Sequence, residues 1–324
     1  MNATLKKIFQ YALFLSIGAV LLWFTFSKLD PQQLFEDIRT ANYLPVMQGV
    51  GLGIVAIIFR GVRWVQLLSP LGYEVKASRS IWAVAVSYLI NLITPRVGEL
   101  ARCTALNRTD KVPVDKLFGT VVLERVVDTI MFGLIFLFTL LFKGDKLWKF
   151  LQDSGAGLPD LNALTIALLF GIALAGVLLV YFTRGIWKDW SIAIKIQSFV
   201  LGLSEGFRSL RRVKNKPLFW FYSFGIWACY VGTIAVGFYA LEGLDSLHWT
   251  DALLISVGAG LGYLIPVPGG FGAYHYLVSK TLFVLGIPMI TGTAFATIIH
   301  SSQTLLFIVL GLLGFVFLYF ARRK

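Results

Sequence analysis

Tyr263-Leu-Ile-Pro266-Val-Pro268-Gly269-Gly270-Phe-Gly272-Ala-Tyr-His275 interrupts an apolar segment in a chain built mostly of long apolar runs. Hydrocarbon offers backbone N–H and C=O groups no partner. A Pro/Gly-rich break at membrane depth must therefore be buried in protein or line a wet cavity. Transporters place such breaks where a substrate binds. The prolines stop the entering helix, and Gly269, Gly270 and Gly272 allow positive φ and close backbone approach. A new helix is expected from about Gly272, with its electropositive N-terminus at depth and His275 in its first turn. His275 reads either as a neutral hydrogen-bond donor beside that dipole or as a satisfied structural histidine.

Composition supports a membrane setting. Hydrophobic residues make up 57% of the 324, and charged residues only 14%. Soluble domains run nearer about 25% charged. The net charge of +12 is read as Lys/Arg on the cytoplasmic side beside anionic lipid, not as a nucleic-acid surface. The two cysteines, Cys103 and Cys229, support neither a metal site nor a disulfide framework and are read as packing residues.

Six runs are long enough to span as helices: 8–26, 43–59, 118–142, 161–183, 217–240 and 289–320. The first is expected to be a retained span and not a cleaved signal. Two pieces are short, Ile81–Ile93 with 13 residues and Ala252–Ile265 with 14, a length suited to re-entrant segments. With the N-terminus inside and both short pieces returning to their side of entry, 22 Lys/Arg lie in the cytoplasmic segments 1–7, 60–80, 96–116, 184–216 and 322–324, and 5 in the external segments 27–42, 143–160 and 241–251. This agrees with the positive-inside rule. The expected fold is an all-α polytopic membrane protein, one domain over 1–324. It has six full spans, cytoplasmic N- and C-termini, and two re-entrant hairpins of opposite polarity, at 81–109 from inside and 251–286 from outside. An interfacial amphipathic helix is expected at 195–213, with Ile196, Phe199, Val200, Leu203, Phe207 and Leu210 on one face.

The first hairpin turns at Asn91-Leu-Ile-Thr94-Pro95-Arg96-Val-Gly98-Glu99-Leu-Ala-Arg102. Thr94 suits an N-cap and Pro95 a first helical residue. Arg96 at that helix start reads either as a partner for a lipid phosphate or as a solvated helix charge at the cytoplasmic surface. Glu99 and Arg102, three apart, are expected to pair on one face. In the next span Glu124 and Asp128 share a face. They read either as a polar wall of a substrate path or as an interhelical ion pair, since charges inside a membrane seek partners. Arg125 points elsewhere and is expected to pair with another helix or to snorkel. His300 reads as hydrogen-bonded within the bundle, and His248 beside Trp249 as interfacial. Gly49, Gly51, Gly53 and Gly258, Gly260, Gly262 read as helix-packing stripes, which also permit a homodimer. No nucleotide, hydrolase or metalloprotease motif is present, so no cofactor, no metal and no enzymatic activity are expected.

Three elements together resemble the membrane domain of lysylphosphatidylglycerol synthetases and their stand-alone, flippase-like relatives. They are Asn91 to Arg102, Leu123-Glu124-Arg125-Val-Val-Asp128, and Pro266 to Gly272. Arg63-Trp64 is a weaker fourth, and with the span order the likeness covers roughly 5–320. The resemblance implies two re-entrant helices and movement of a lipid between leaflets. Relatives often carry Glu where this chain has His275. The sequence ends at Arg322-Arg323-Lys324, so a cytoplasmic aminoacyl-transferring domain is not expected.

The leading expectation is a lipid translocator in the bacterial cytoplasmic (inner) membrane. It would handle an anionic or aminoacylated phospholipid, or another lipid-linked headgroup. The residues expected to line its site are Asn91, Arg96, Glu99, Arg102, Glu124, Arg125, Asp128, Pro268, Gly269, Gly270, Gly272 and His275. The alternatives are a non-transporting partner of a lipid or envelope biosynthetic complex, with a separate synthase, and below it a lipid-modifying enzyme using Glu124, Asp128 and His275.

Overall fold

The computed structural model describes residues 3–27, 29–153 and 213–321. The expected span at 161–183 lies outside them, as does all but the last residue of the expected interfacial helix at 195–213. Among the described residues the chain is helical, with α1 (Ala3–Phe26), α2 (Pro31–Thr40), α3 (Tyr43–Leu68), α4 (Ala77–Ile93), α5 (Val97–Asp110), α6 (Val114–Asp153), α7 (Lys216–Gly237), α8 (Trp249–Leu264), α9 (Ala273–Val284) and α10 (Met289–Ala321).

Sequence sets several helix starts. Asp30 accepts a hydrogen bond from the Gln32 N–H, Asn42 from Leu44 and Asn215 from Leu218. Each side chain satisfies a donor that the first turn leaves unpaired. At α8 the Asp251 carboxylate accepts from the His248 backbone N–H at 2.8 Å, the return half of a capping box.

Four stretches are long and apolar enough to cross a membrane: Tyr43–Leu71, Val114–Asp153, Lys216–Ala240 and Met289–Ala321. They coincide with four of the expected spans, and α1 occupies the first. The protein is a multi-pass membrane protein. Two expected boundaries are corrected. Residues 60–68 continue α3, although their arginines suggested a cytoplasmic segment. Helix α6 runs on through residues taken as an external connection, and Lys143 breaks its geometry at φ −140°, ψ 34°.

Apart from the ten-residue α2, the remaining helices form two short pairs, α4–α5 and α8–α9, of 17 and 14 and of 16 and 12 residues. At 1.5 Å per residue they are about 18–26 Å long, against about 30 Å of hydrocarbon. Their placement can be read along α10. Near its start, a Cβ on Gly292 would lie 3.3 Å from Ser279 O and Leu282 Cβ of α9. One-third along, His300 Nε2 lies 2.8 Å from Gly269 O in the turn between α8 and α9. Phe307 then stacks on Tyr88 of α4 at 4.6 Å, and Phe317 meets Trp82 at 5.7 Å. The two pairs therefore reach α10 from opposite ends, with their turns adjoining near its middle. A Cβ on Gly269 would sit 3.2 Å from Leu92 Cδ2, next to the end of α4.

Two cores follow the same division. One joins α7, α8, α9 and the first part of α10 through Ile234, Ile255, Val278 and Phe295. The other joins α3, α4, α5 and the start of α6 through Trp64, Val84, Leu106 and Val121. In lipid, helices associate through close packing more than through burial from water, so small residues sit at the contacts. Gly49 meets Thr233, Gly53 meets Gln303 and Leu306, Gly258 meets Thr281, Gly260 meets Phe132, and Gly262 meets Tyr274. The two glycine stripes are thus used within the chain, apart from Gly51, which has nothing within 4 Å of its Cβ position. Cys103 and Cys229 are buried free thiols.

Candidate functional site

The first turn differs from expectation at its cap. Thr94 ends α4, its N–H bonding Ile90 O at 2.8 Å, and α5 begins only at Val97. Thr94 precedes Pro95 and is therefore pushed to extended backbone, φ −131°, ψ 111°. Arg96 then reverses the chain in the left-handed region at φ 66°. The cap comes from Asn91, whose Oδ1 accepts from the Gly98 N–H at 2.8 Å. Gly98 allows this because its missing Cβ would strike Ser87 O. Arg96 itself is exposed and forms no ion pair with a described residue.

Below this turn lies a buried network of charges. Arg63 of α3, fully buried, reaches Asp128 Oδ1 at 2.8 Å and Glu124 Oε1 at 3.6 Å. Arg60, one turn earlier, meets Asp128 Oδ2 at 3.0 Å. Arg102 of α5 pairs with Glu124 and lies 4.5 Å over the Trp64 ring. Arg125 bonds Glu99 at 3.0 Å and approaches Asp128 at 3.7 Å, with its side chain 48% exposed. The expected Glu99–Arg102 pair is therefore corrected. Each residue pairs across to α6, because the carboxylate and guanidinium there are better placed than a neighbour on the same turn. The network extends through Arg60 to the Tyr230 hydroxyl, 3.5 Å away, which lies 3.0 Å from the Tyr88 hydroxyl.

Glu124 and Asp128 are thus arranged as interhelical clamps. Removing two charges from water costs several kcal/mol per ion, and mutual attraction offsets this only when every partner is in place. Four guanidiniums, Arg60, Arg63, Arg102 and Arg125, face three carboxylates, Glu99, Glu124 and Asp128, leaving one positive charge in excess. Arg96 adds a second, uncompensated and accessible.

The second turn winds through Pro268, Gly269 and Gly270 in two overlapping tight turns, Gly270 N–H to Val267 O and Phe271 N–H to Pro268 O at 3.1 Å each, with Gly269, Gly270 and Gly272 at φ 57°, 75° and 83°. Helix α9 starts at Ala273, one residue after the expected Gly272, and His275 falls in its first turn. His275 and His300 are 4% and 2% exposed, with ring centroids 4.8 Å apart. Tyr263, Phe271 and Tyr274 ring them. Helix α1 closes the outside: Gly272 packs on Gly18 O and Leu21, and Phe26 lies 6.0 Å from His275.

The structure thus gathers the expected residues into two adjoining groups: Asn91, Arg96, Glu99, Arg102, Glu124, Arg125 and Asp128 at the first turn, and Pro268, Gly269, Gly270, Gly272 and His275 at the second. Sequence reading missed Arg60 and, apart from a family likeness, Arg63. It also missed Tyr88 and Tyr230 and underweighted His300. The arginines carried a usable signal, since a three-residue spacing in a continuing helix places both on one face.

A family profile described as Lysylphosphatidylglycerol synthase TM region matches residues 9–311. Two curated proteins are similar over shorter stretches. UPF0104 membrane protein MJ1595 of Methanocaldococcus jannaschii is 25% identical over 216 residues, covering 65% of this chain and 64% of that protein. Glycosyltransferase AglD of Haloferax volcanii is 28% identical over 101 residues, covering 31% of this chain and 16% of that protein. The match therefore spans under two thirds of either relative. No solved structure matches the chain. The match across nearly its whole length, including both broken helix pairs and the charged face of α6, makes this chain a member of the lysylphosphatidylglycerol synthase TM region family.

Proposed function

We propose that the protein moves a lipid with an anionic headgroup between the leaflets of the cytoplasmic membrane. In this reading α4–α5 and α8–α9 are re-entrant hairpins entering from opposite leaflets. The headgroup passes their adjoining turns while the acyl chains stay in the bilayer. The observation that carries the reading is the meeting of the two turns at Leu92 and Gly269, with Arg96 exposed four residues after Leu92. The short helices, the excess positive charge and the family membership agree with it. Broken helices lining a midplane site are the recurrent architecture of secondary transporters.

Arg96 is the test. Arg96→Gly removes the charge and keeps the left-handed turn, whereas Arg96→Lys keeps the charge. In vesicles containing fluorescent phosphatidylglycerol, Arg96→Gly is expected to slow transfer by at least about tenfold. That is the loss of one charge-assisted hydrogen bond of about 1.5–3 kcal/mol. Arg96→Lys is expected to retain most of the rate. Wild-type transfer by a folded Arg96→Gly protein would remove the headgroup site.

The likeness to part of a glycosyltransferase favours one second reading, a membrane module that presents a lipid-linked substrate to a separate transferase without moving it. That reading requires no transfer by the purified protein in vesicles and co-purification with a transferase.

A further inference from the structure

The lower charge network consumes its own carboxylates, but the histidine pair at the second turn has polar atoms left over. His300 Nε2 faces Gly269 O at 2.8 Å. A carbonyl only accepts, so this nitrogen carries the hydrogen and Nδ1 is left as a bare acceptor. That Nδ1 is buried without a partner, and so is Nδ1 of His275. Both side chains are more than nine-tenths buried, and the rings are 4.8 Å apart. Unpaired buried polar atoms cost about 1–3 kcal/mol each, and ionisable side chains at membrane depth mark ion or proton paths.

We propose that His275 and His300 form a single proton-binding site that couples headgroup movement to a proton. The inference rests on the translocation reading above. Two imidazolium charges at this separation repel strongly, so the pair takes one proton. Among the described residues no carboxylate pairs with either ring. The surrounding elements offer Tyr263 from α8, Tyr274 from α9 and Phe26 from α1. Lys280 of α9 is turned to Tyr276 and Phe283. From α4 and α7, Tyr88 and Tyr230 bond each other. Arg60, Arg63, Glu99, Arg102, Glu124, Arg125 and Asp128 of α3, α5 and α6 are engaged in their own network. On α2, which packs against α10, Glu36 pairs with Arg39 near Asp37. A proton on the pair therefore lacks a counter-ion until an anion arrives between the turns. By reciprocal linkage, headgroup and proton each raise affinity for the other. A singly charged anionic lipid and one proton then cross as a neutral unit.

The experiment imposes a gradient of one pH unit across vesicles containing the full chain and labelled phosphatidylglycerol. Wild type is expected to accumulate the lipid in the leaflet facing the alkaline side, up to about tenfold, since one pH unit is one decade in proton activity. A membrane potential alone should not drive redistribution. His275→Gln and His300→Gln are expected to lose the accumulation. A second readout needs no variant. Adding short-chain phosphatidylglycerol to weakly buffered wild-type protein in detergent near pH 7 should take up about one proton per chain. Wild-type transfer that ends evenly distributed, accumulation retained in both glutamine variants, or no proton uptake would each overturn the proton site and leave translocation standing. No lipid transfer by wild type at any pH would overturn the translocation reading, and this inference with it.

Discussion

Asp128→Ala destabilises the protein by about 3–5 kcal/mol, the usual cost of removing one partner from a buried ion network. Asp128 faces Arg60 at 3.0 Å, Arg63 at 2.8 Å and Arg125 at 3.7 Å. Without it, two guanidiniums that are 5% and 0% exposed lose their nearest countercharge on three helices' worth of packing. Thermal and denaturant unfolding in detergent measure the loss. The informative companion is Asp128→Ala with Arg60→Met. Removing a charge of each sign relieves the uncompensated burial, so the double variant should be more stable than Asp128→Ala alone, with a coupling of at least about 1 kcal/mol. If Asp128 instead lined an open aqueous path, its removal would change stability by only about 0.5 kcal/mol or less, and the second substitution would recover nothing.

The second large effect is expected from a single methyl group. Gly98→Ala places a Cβ against Ser87 O and 2.7 Å from Asn91 Oδ1. The carbonyl is backbone within α4 and cannot swing away. Asn91 also supplies the cap of α5 through its bond to Gly98 N. Overpacking of this kind costs about 1–3 kcal/mol, and loss of the cap adds about 1 kcal/mol. The expected result is a shifted or detached α5, with Arg102 drawn off Glu124 and vesicle transfer abolished. Gly51→Ala, on the same kind of helix surface but facing open space, is the matched control and should leave stability within about 0.5 kcal/mol. Equal stability of the Gly98→Ala and Gly51→Ala proteins would contradict the tight α4–α5 turn.

Much of this architecture was legible in the chain. The four long spans are continuous apolar runs, and the two short pairs are runs ended by Thr94-Pro95 and by Pro266 to Gly272. Apolar length and helix-breaking residues are local properties, so they survive without knowledge of neighbours. The turn at Gly269, Gly270 and Gly272 was readable for the same reason, since positive φ is a property of single residues. The end of α3 was not. Arg60 and Arg63 look like cytoplasmic charges because charges usually signal solvent, and only carboxylates arriving from α6 make a buried helix possible there. The cap of α5 was misassigned because Thr94-Pro95 is a good cap and first turn by type, yet Arg96 enters the left-handed region and delays the helix to Val97. Glu99 and Arg102 were expected to pair because spacing along one helix is visible in sequence, whereas α6 is not.

The sequence alone determined a multi-pass helical membrane protein with two broken helix pairs, because the bilayer imposes apolar length and forbids unpaired backbone. Tertiary structure decided that the pairs approach α10 from opposite ends, that their turns touch at Leu92 and Gly269, and which arginine holds which carboxylate. Those outcomes depend on distances between residues tens to hundreds of positions apart. No local periodicity encodes such distances; side-chain packing between helices and the buried ion pairs set them.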